Sequence, residues 1–335
     1  MQKAILAYAF GLAAFITAAQ AQTVNQPLKS PIRTVTPVAD GSPECNSMIT
    51  PVRNVIVAAP YAGGPKDTFI SQYSAALTNL EWFSGVVTTT SDKYLKDRQR
   101  SQSRCVLQNL AHWARAGALL GMNNNQGRFQ IRFNAASICT SYLKIIGDDS
   151  LPAEDKTVVE KWMLDLASEV RSGLFWDTSK PERDLVRVNN HAYIAGLSAV
   201  LCAIAGSGDT SLEEWGLRQY KVGVSQITRG AILPHEAARG RRAFYYHALA
   251  LTNLVFLAEI GERNGIAMFD MYNGAIHRIA EWMQNAVMDP FAASKRWGES
   301  QDTSYVSSWG APGCRSIMTG FRIAGRPRQT SMAWS

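Results

Sequence analysis

The chain has 335 residues and a formal charge of +7, a length that allows one large domain or two. Its five cysteines and five histidines fall in no zinc-binding spacing. After the first 21 residues no stretch reads as long and apolar enough to cross a bilayer, which excludes a multispanning membrane protein.

Those first residues read as an export signal covering 1–21. Lys3 is the positive head, residues 4–17 are apolar, and Ala19-Gln20-Ala21 is a small-x-small cleavage site, so the mature chain starts near Gln22. Export points to the periplasm and argues against nucleic acid. The positive balance then suits an anionic polysaccharide or a membrane surface, or serves only solubility. Among the cysteines, Cys139 and Cys202 sit inside apolar helical runs and read as small hydrophobes. Cys45 lies in a loop and Cys105 opens a helix, so these two are the better disulfide pair, and an odd count leaves a thiol over.

Residues 22–67 are rich in Pro, Thr, Ser and Gly and read as a loop-rich arm, with Tyr61 to Lys66 as a lid or a connector. Residues 68–335 form the main domain, and almost all of its signal is helical. Residues 68–87 carry Ile70, Tyr73, Leu77 and Leu80 at helical spacing. Residues 93–104 hold five basic side chains and read as a solvated connection. Residues 105–120 are amphipathic, with Leu107, Leu110 and Trp113 on one side. An Asn-rich turn at 121–127, a helix at 129–146 and another after Pro152 follow.

Beyond a loop at 173–187, a helix spans 190–205. Ser211 with Glu214 makes a capping box that opens the next helix, to about 227. After a turn at 230–234, one long helix is expected over 239–263 and another over 266–288. Residues 289–315 read as irregular, and the tail carries at most a short helix from Ile317. Eight to ten helices joined by short turns imply an all-α chain of antiparallel pairs, stacked as a solenoid or closed into an (α/α) toroid around a tunnel-like cleft.

Two polar stretches interrupt these apolar helices: Val188-Asn189-Asn190-His191-Ala192-Tyr193, and Arg239 through His247. A uronate polymer explains them. Removing the proton at C5, beside a carboxylate, builds an enolate-like dianion, which needs preorganised donors and positive charge. Asn190, His191 and Arg239 suit that role, since arginine binds carboxylates bidentately and an amide donates without competing for protons. Tyr246 is the candidate acid and base, because guanidiniums close to a phenol favour its phenolate. His191 is a second base or a neutral donor. Each residue also has a plain structural reading. Asn190 is a helix N-cap, the two histidines are core residues, Arg241 and Arg242 are a solvated face, and Tyr245 and Tyr246 are core aromatics with wet tips. Hydrolysis needs two carboxyl groups, and Asp209, Glu213, Glu214 and Glu236 form no evident pair. No nucleophile-elbow or zinc-protease signature occurs.

Four segments resemble the helical alginate lyases, the poly(β-D-mannuronate) lyases of polysaccharide lyase family 5. Cys105 through Leu119 is similar to a family stretch with cysteine and W-A-R-A-G-A-L. Asn189-Asn190-His191-Ala192-Tyr193 is similar to N-N-H-S-Y. Leu233-Pro234-His235-Glu236, Arg239, Arg242 and Tyr246-His247 follow L-P-x-E, arginines and Y-H, and Asn264-Gly265 matches as well. The resemblance covers about 45–290. It implies an (α/α) toroid and a Cys45–Cys105 disulfide, with no metal and no organic cofactor. It implies that Asn190, His191 and Arg239 neutralise the carboxylate and that Tyr246 is acid and base. Tyr61, Lys66, Trp113, Arg242 and His247 are candidate substrate-contacting residues.

The chain departs from the family at the lid, where 59–65 lacks the family's lysine, which is either lost or replaced by Lys66 from a shifted position. Ile194 replaces a tryptophan, the C-terminal W-L-E-P-Y is reduced to Ser308 through Pro312, and Cys314 lacks the second cysteine of its pair. The expected protein is a monomeric periplasmic lyase with alginate as default substrate. Glucuronan or another glucuronate-bearing polymer, a non-catalytic polysaccharide binder, and a hydrolase are the alternatives.

Overall fold

A computed structural model describes residues 24–40, 45, 48–52, 66–121, 125–173 and 187–304, with backbone alone at 66–76, 125, 126 and 290. Within them lie α1 (Lys66–Asp97), α2 (Arg100–Arg115), α3 (Asn125–Ile145), α4 (Ala153–Gly173), α5 (Asn190–Ala205) and α6 (Thr210–Ser225). The single turn α7 (Pro234–Ala237) and a 3-10 turn at Gly240–Arg242 follow. Then come α8 (Ala243–Arg263), α9 (Met271–Met288) and α10 (Pro290–Trp297). Among the described residues the only β pairing is an isolated bridge between Ala39 and Gln99. The fold is an (α/α) toroid.

α5 lies at its centre, packed against α3, α4, α6 and α8. The helix is apolar on every side, as a helix surrounded by others must be; after Asn190, thirteen of its residues are buried, from Ala192 through Ala205 with Ile204 excepted. Side-chain contacts set the directions. Ser84 Oγ donates to Asn134 Oδ1 at 3.0 Å and Lys144 pairs with Asp92, so α1 and α3 run the same way. Ser198 Oγ donates to Arg132 O at 2.8 Å and Cys139 is bonded to Cys202, so α3 and α5 do too. α6 runs back along α5 at backbone contact. A Cβ on Gly216 would lie 2.5 Å from the Gly196 carbonyl oxygen, and one on Gly196 would lie 2.6 Å from Gln219 Cβ. The result is a set of parallel helices, α1, α3, α5 and α8, each with a returning partner. Their N-terminal ends, where backbone N–H groups lack helical partners and the dipole is positive, gather at one end of the molecule.

The arm belts the opposite end. Leu28 N–H donates to Glu213 Oε2 at 3.0 Å, Lys29 is held on both backbone groups by the Asn264 side chain, and Pro27 packs where Gly208 has no Cβ. Tyr94 Oη donates to Val35 O at 3.0 Å, and Arg100 N–H donates to Ala39 O at 2.9 Å. Residues 27–39 thus touch the α5–α6, α8–α9 and α1–α2 turns, and Val35 O sits against Gly147 of the α3–α4 turn. This part of the arm is a strap on the far end, not a lid.

Several sequence expectations are corrected. Residues 93–104 are not a loose connection: α1 runs on to Asp97, turns at left-handed Arg98, and α2 starts at Arg100. The cap of α6 is Asp209, whose side chain accepts from Leu212 N–H, so Ser211 is no capping box. The expected helix over 239–263 is split into the 3-10 turn and α8, with Gly240 at φ +58°, and α7 stands before it, next to the expected turn. α9 starts at Met271 and its first turn is left-handed at Tyr272, Asn273 and Gly274. α10 occupies part of the stretch expected to be irregular.

Cys139 and Cys202 are bonded to each other, because parallel α3 and α5 bring their Cα atoms to 5.1 Å. Cys45 and Cys105 are bonded as expected. Residues 240–263 are, against expectation, long and apolar enough to span a bilayer, but 67% of that apolar window is buried inside the protein. The leader at 1–21, Tyr61, Ser308 through Pro312, Cys314 and the short helix from Ile317 lie outside the described residues.

Candidate functional site

The two polar stretches meet at the end where the helix N-termini gather. Asn189, not Asn190, caps α5: its Oδ1 accepts from His191 N–H at 2.9 Å. Tyr193 Oη and Gln226 Nε2 both donate to Val188 O at 2.9 Å, which fixes the approach to the cap. Asn190 is thereby free to face sideways. Its backbone N–H donates to Glu236 Oε1 at 2.7 Å and its Nδ2 to Glu236 Oε2 at 3.0 Å. Both residues are wholly buried. Burial raises the Glu236 carboxyl pKa, and the two Asn190 bonds oppose that rise.

His191 reaches partial exposure between two rings of α3. Phe129 stacks on it with centroids 4.5 Å apart, and Phe133 meets it edge-on at 6.1 Å. Behind them lies Arg132, buried, with Nη2 donating to Gly173 O at 2.5 Å at the C-terminal end of α4, where a cation is favoured. Its Nε and Nη1 have no partner among the described residues, and burial pulls its pKa down to about 10. Burial, then the charges of Arg132 and Arg239, push His191 down to about 3, so its imidazole is neutral. At neutral pH His191 is therefore not an imidazolium.

Arg239 is exposed on the turn after α7, its guanidinium 4.7 Å from the centroid of the Tyr246 ring. Tyr246, half-buried in the first turn of α8, meets Tyr245 edge-on at 5.3 Å. Arg242 is exposed, and with Arg241 it lowers the Asp302 carboxyl, which hydrogen bonds from Ser304 lower more. The 299–304 segment lies against this stretch: Asp302 N–H donates to Arg241 O and Phe244 N–H to Gln301 Oε1.

Two candidate contacts have no surface to offer a substrate. Trp113 is wholly buried, stacked on Phe83 at 3.7 Å, with Nε1 donating to Ile49 O at 2.9 Å. It is a core residue because α2 turns this face toward α1 and the arm. His247 is wholly buried against Trp282 and Trp297. Its Nδ1 faces Ala243 O at 2.7 Å, so Nδ1 carries the hydrogen and Nε2 accepts from Leu233 N–H at 3.1 Å. His247 therefore anchors the residue that begins α7, which carries Glu236 and leads to Arg239. Burial pushes it down to about 4, neutral as this bonding requires. Lys66 opens α1, and only its backbone is described; Tyr61 is outside the described residues.

Sequence reasoning missed Phe129, Arg132, Phe133 and the clamp made by Glu236. The signal for the first three was an aromatic pair four residues apart with an arginine between, in the first turns of a helix. Nothing local showed that this helix lies beside α5. Among the described residues no group of three His, Cys, Asp or Glu is placed to hold a metal.

Residues 58–293 match the family model described as alginate lyase. An alginate lyase of Cobetia marina is 29% identical over 336 residues, covering 90% of this chain and 84% of that protein. One of Pseudomonas fluorescens is 28% identical, covering 94% and 88%. Alginate lyase A1-III of Sphingomonas species A1 has a solved structure that superposes with a TM-score of 0.67 at 25% identity, over 77% of this chain and 72% of that one. A family match over most of the chain and the same toroid agree: the chain belongs to the alginate lyase family and is a polysaccharide lyase.

Proposed function

We propose that the protein cleaves alginate, by default in mannuronate-rich stretches, by β-elimination. The observation that carries this reading is the meeting of Asn190, neutral His191, Arg239 and Tyr246 at the N-terminal ends of α3, α5 and α8. Arg239 and the helix ends supply positive potential for a uronate carboxylate. Asn190, buried beneath them, keeps one Nδ2 N–H beyond its bond to Glu236 as an amide donor, and His191 adds a donor without charge. Tyr246, as the phenolate, takes the C5 proton and becomes the phenol. The C5–H electrons form the C4–C5 double bond, the bond from C4 to the glycosidic oxygen breaks, and that oxygen leaves with a proton from the same phenol. The tyrosine oxygen is charged before it takes the C5 proton and again after it protonates the leaving oxygen, and the Arg239 guanidinium over the ring favours that charge. Arg242, Lys66 and Tyr61 are assigned to substrate binding, the last two from the sequence reading alone. The residues need no metal or organic cofactor for this chemistry. The leader read from the sequence supports action in the periplasm.

The test is an assay of protein from Gln22 onward on polymannuronate, polyguluronate, polyglucuronate, hyaluronan and dextran, read as ultraviolet absorbance of the new conjugated double bond. A rise on one uronate polymer that disappears in Tyr246→Phe is expected. Binding to an anionic polymer with no rise on any would refute elimination and favour a non-catalytic binder.

A further inference from the structure

Glu236 joins the two halves of the site without facing solvent. Both of its oxygens are spent on Asn190, at 2.7 Å from the backbone nitrogen and 3.0 Å from Nδ2. It also stands one helical turn before Arg239, whose N–H donates to the Glu236 carbonyl at 3.1 Å. An ionised carboxylate can only accept hydrogen bonds. It therefore dictates which way the Asn190 amide points: nitrogen toward Glu236, Oδ1 away. That Oδ1 is buried with no partner among the described residues, an arrangement that a freely turning amide would not keep. One N–H of Nδ2 and the orphan Oδ1 are left in fixed places. His247 completes the frame from behind, by accepting from the Leu233 N–H that opens α7.

We propose that Glu236 is a positioning residue: through its two bonds to Asn190 and the short turn to Arg239, it sets the amide and the guanidinium against each other as one carboxylate-binding unit. The assignment rests on the elimination reading above, but its own geometry can be tested apart from it. Glu236→Gln keeps the shape and one acceptor for the Asn190 backbone N–H. Its other end becomes a donor facing Asn190 Nδ2, so the Asn190 amide must turn over. Glu236→Asp keeps both acceptors but pulls them back.

The experiment measures kcat and KM of Glu236→Gln, Glu236→Asp, Asn190→Ala and the double variant Glu236→Gln/Asn190→Ala on the preferred polymer, with Tm for each. Loss of a buried charge-assisted bond predicts a fall in kcat of about 10–100-fold for Glu236→Gln. The aspartate is expected to lose less, and the double variant to be no worse than Asn190→Ala alone, because Glu236 acts through Asn190. Losses that multiply in the double variant, or wild-type kcat in Glu236→Gln, overturn the proposal. The Asn190 side-chain amide pair in nitrogen-15 spectra, assigned by its loss in Asn190→Ala, gives a readout without turnover. It should shift in Glu236→Gln, and an unmoved pair overturns the clamp even in an active enzyme. A wild-type protein with no activity on any uronate polymer, yet a shifted pair, overturns the elimination reading and leaves the clamp standing.

Discussion

Replacing Cys139 and Cys202 together by alanine tests the central packing of the toroid. The bond joins two wholly buried positions 63 residues apart in sequence, one on α3 and one on α5. Loop-closure entropy for a ring of that size amounts to about 4 kcal/mol at room temperature. The two sulfur atoms also fill core volume, adding up to about 1 kcal/mol for the space left behind. Against a typical total of about 5–15 kcal/mol, that is a large share. It falls on the helix pair that holds Phe129 and Phe133 against His191, so activity should fall with stability as temperature rises, before global unfolding. Urea unfolding followed by tryptophan fluorescence, with and without reductant, measures the first effect; residual lyase activity at increasing temperature measures the second. A double variant within about 1 kcal/mol of wild type, with an unchanged activity–temperature curve, would refute the reasoning, because it would mean that packing alone keeps α3 and α5 in register.

Three further outcomes are expected. Asp209→Ala should cost about 1 kcal/mol by uncapping α6, while Ser211→Ala should cost almost nothing; equal losses in chemical denaturation would restore the capping box. Trp113→Phe, which strands the buried Ile49 carbonyl, should lower stability by about 1–3 kcal/mol and leave KM unchanged, so a raised KM would return Trp113 to the substrate site. His247, held neutral down to about pH 4, takes up no proton in the fold where the unfolded chain does, from about pH 6.5 downward. Its contribution is thus present near pH 7 and lost as pH falls toward 4, at up to about 1.4 kcal/mol per pH unit. Buried Glu213 and Glu236 and half-buried Glu259, with raised pKa values, act in the opposite direction, so the effect is isolated by comparing wild type with His247→Gln. The stability gap between them should narrow from pH 6.5 to 4, and a constant gap would count against the assignment.

Local pattern determined a great deal here. The 3.6-residue spacing of apolar side chains announced an all-helical chain, since that period survives any tertiary arrangement. The polar interruptions at 189–191 and 239–247 stood out because amides, imidazoles and guanidiniums have no reason to open buried helices, and together with Cys105 and Trp113 they carried the family likeness. Tertiary structure decided what each of those residues does. Trp113 and His247 carry the same chemistry as surface binders, and only the facing of α2 toward α1, and of α8 toward Trp282 and Trp297, turns them inward. Cys139 and Cys202 looked like ordinary small hydrophobes until parallel packing of α3 on α5 brought them together. Glu236 seemed a lone acid with no role, and Phe129, Arg132 and Phe133 belonged to a helix some sixty residues from the motif they support. Helix periodicity is a property of neighbouring residues, so the sequence displays it directly. Which helix lies beside which, and therefore which histidine is buried and held neutral, is a property of contacts between residues far apart in the chain, and only the closed toroid contains it.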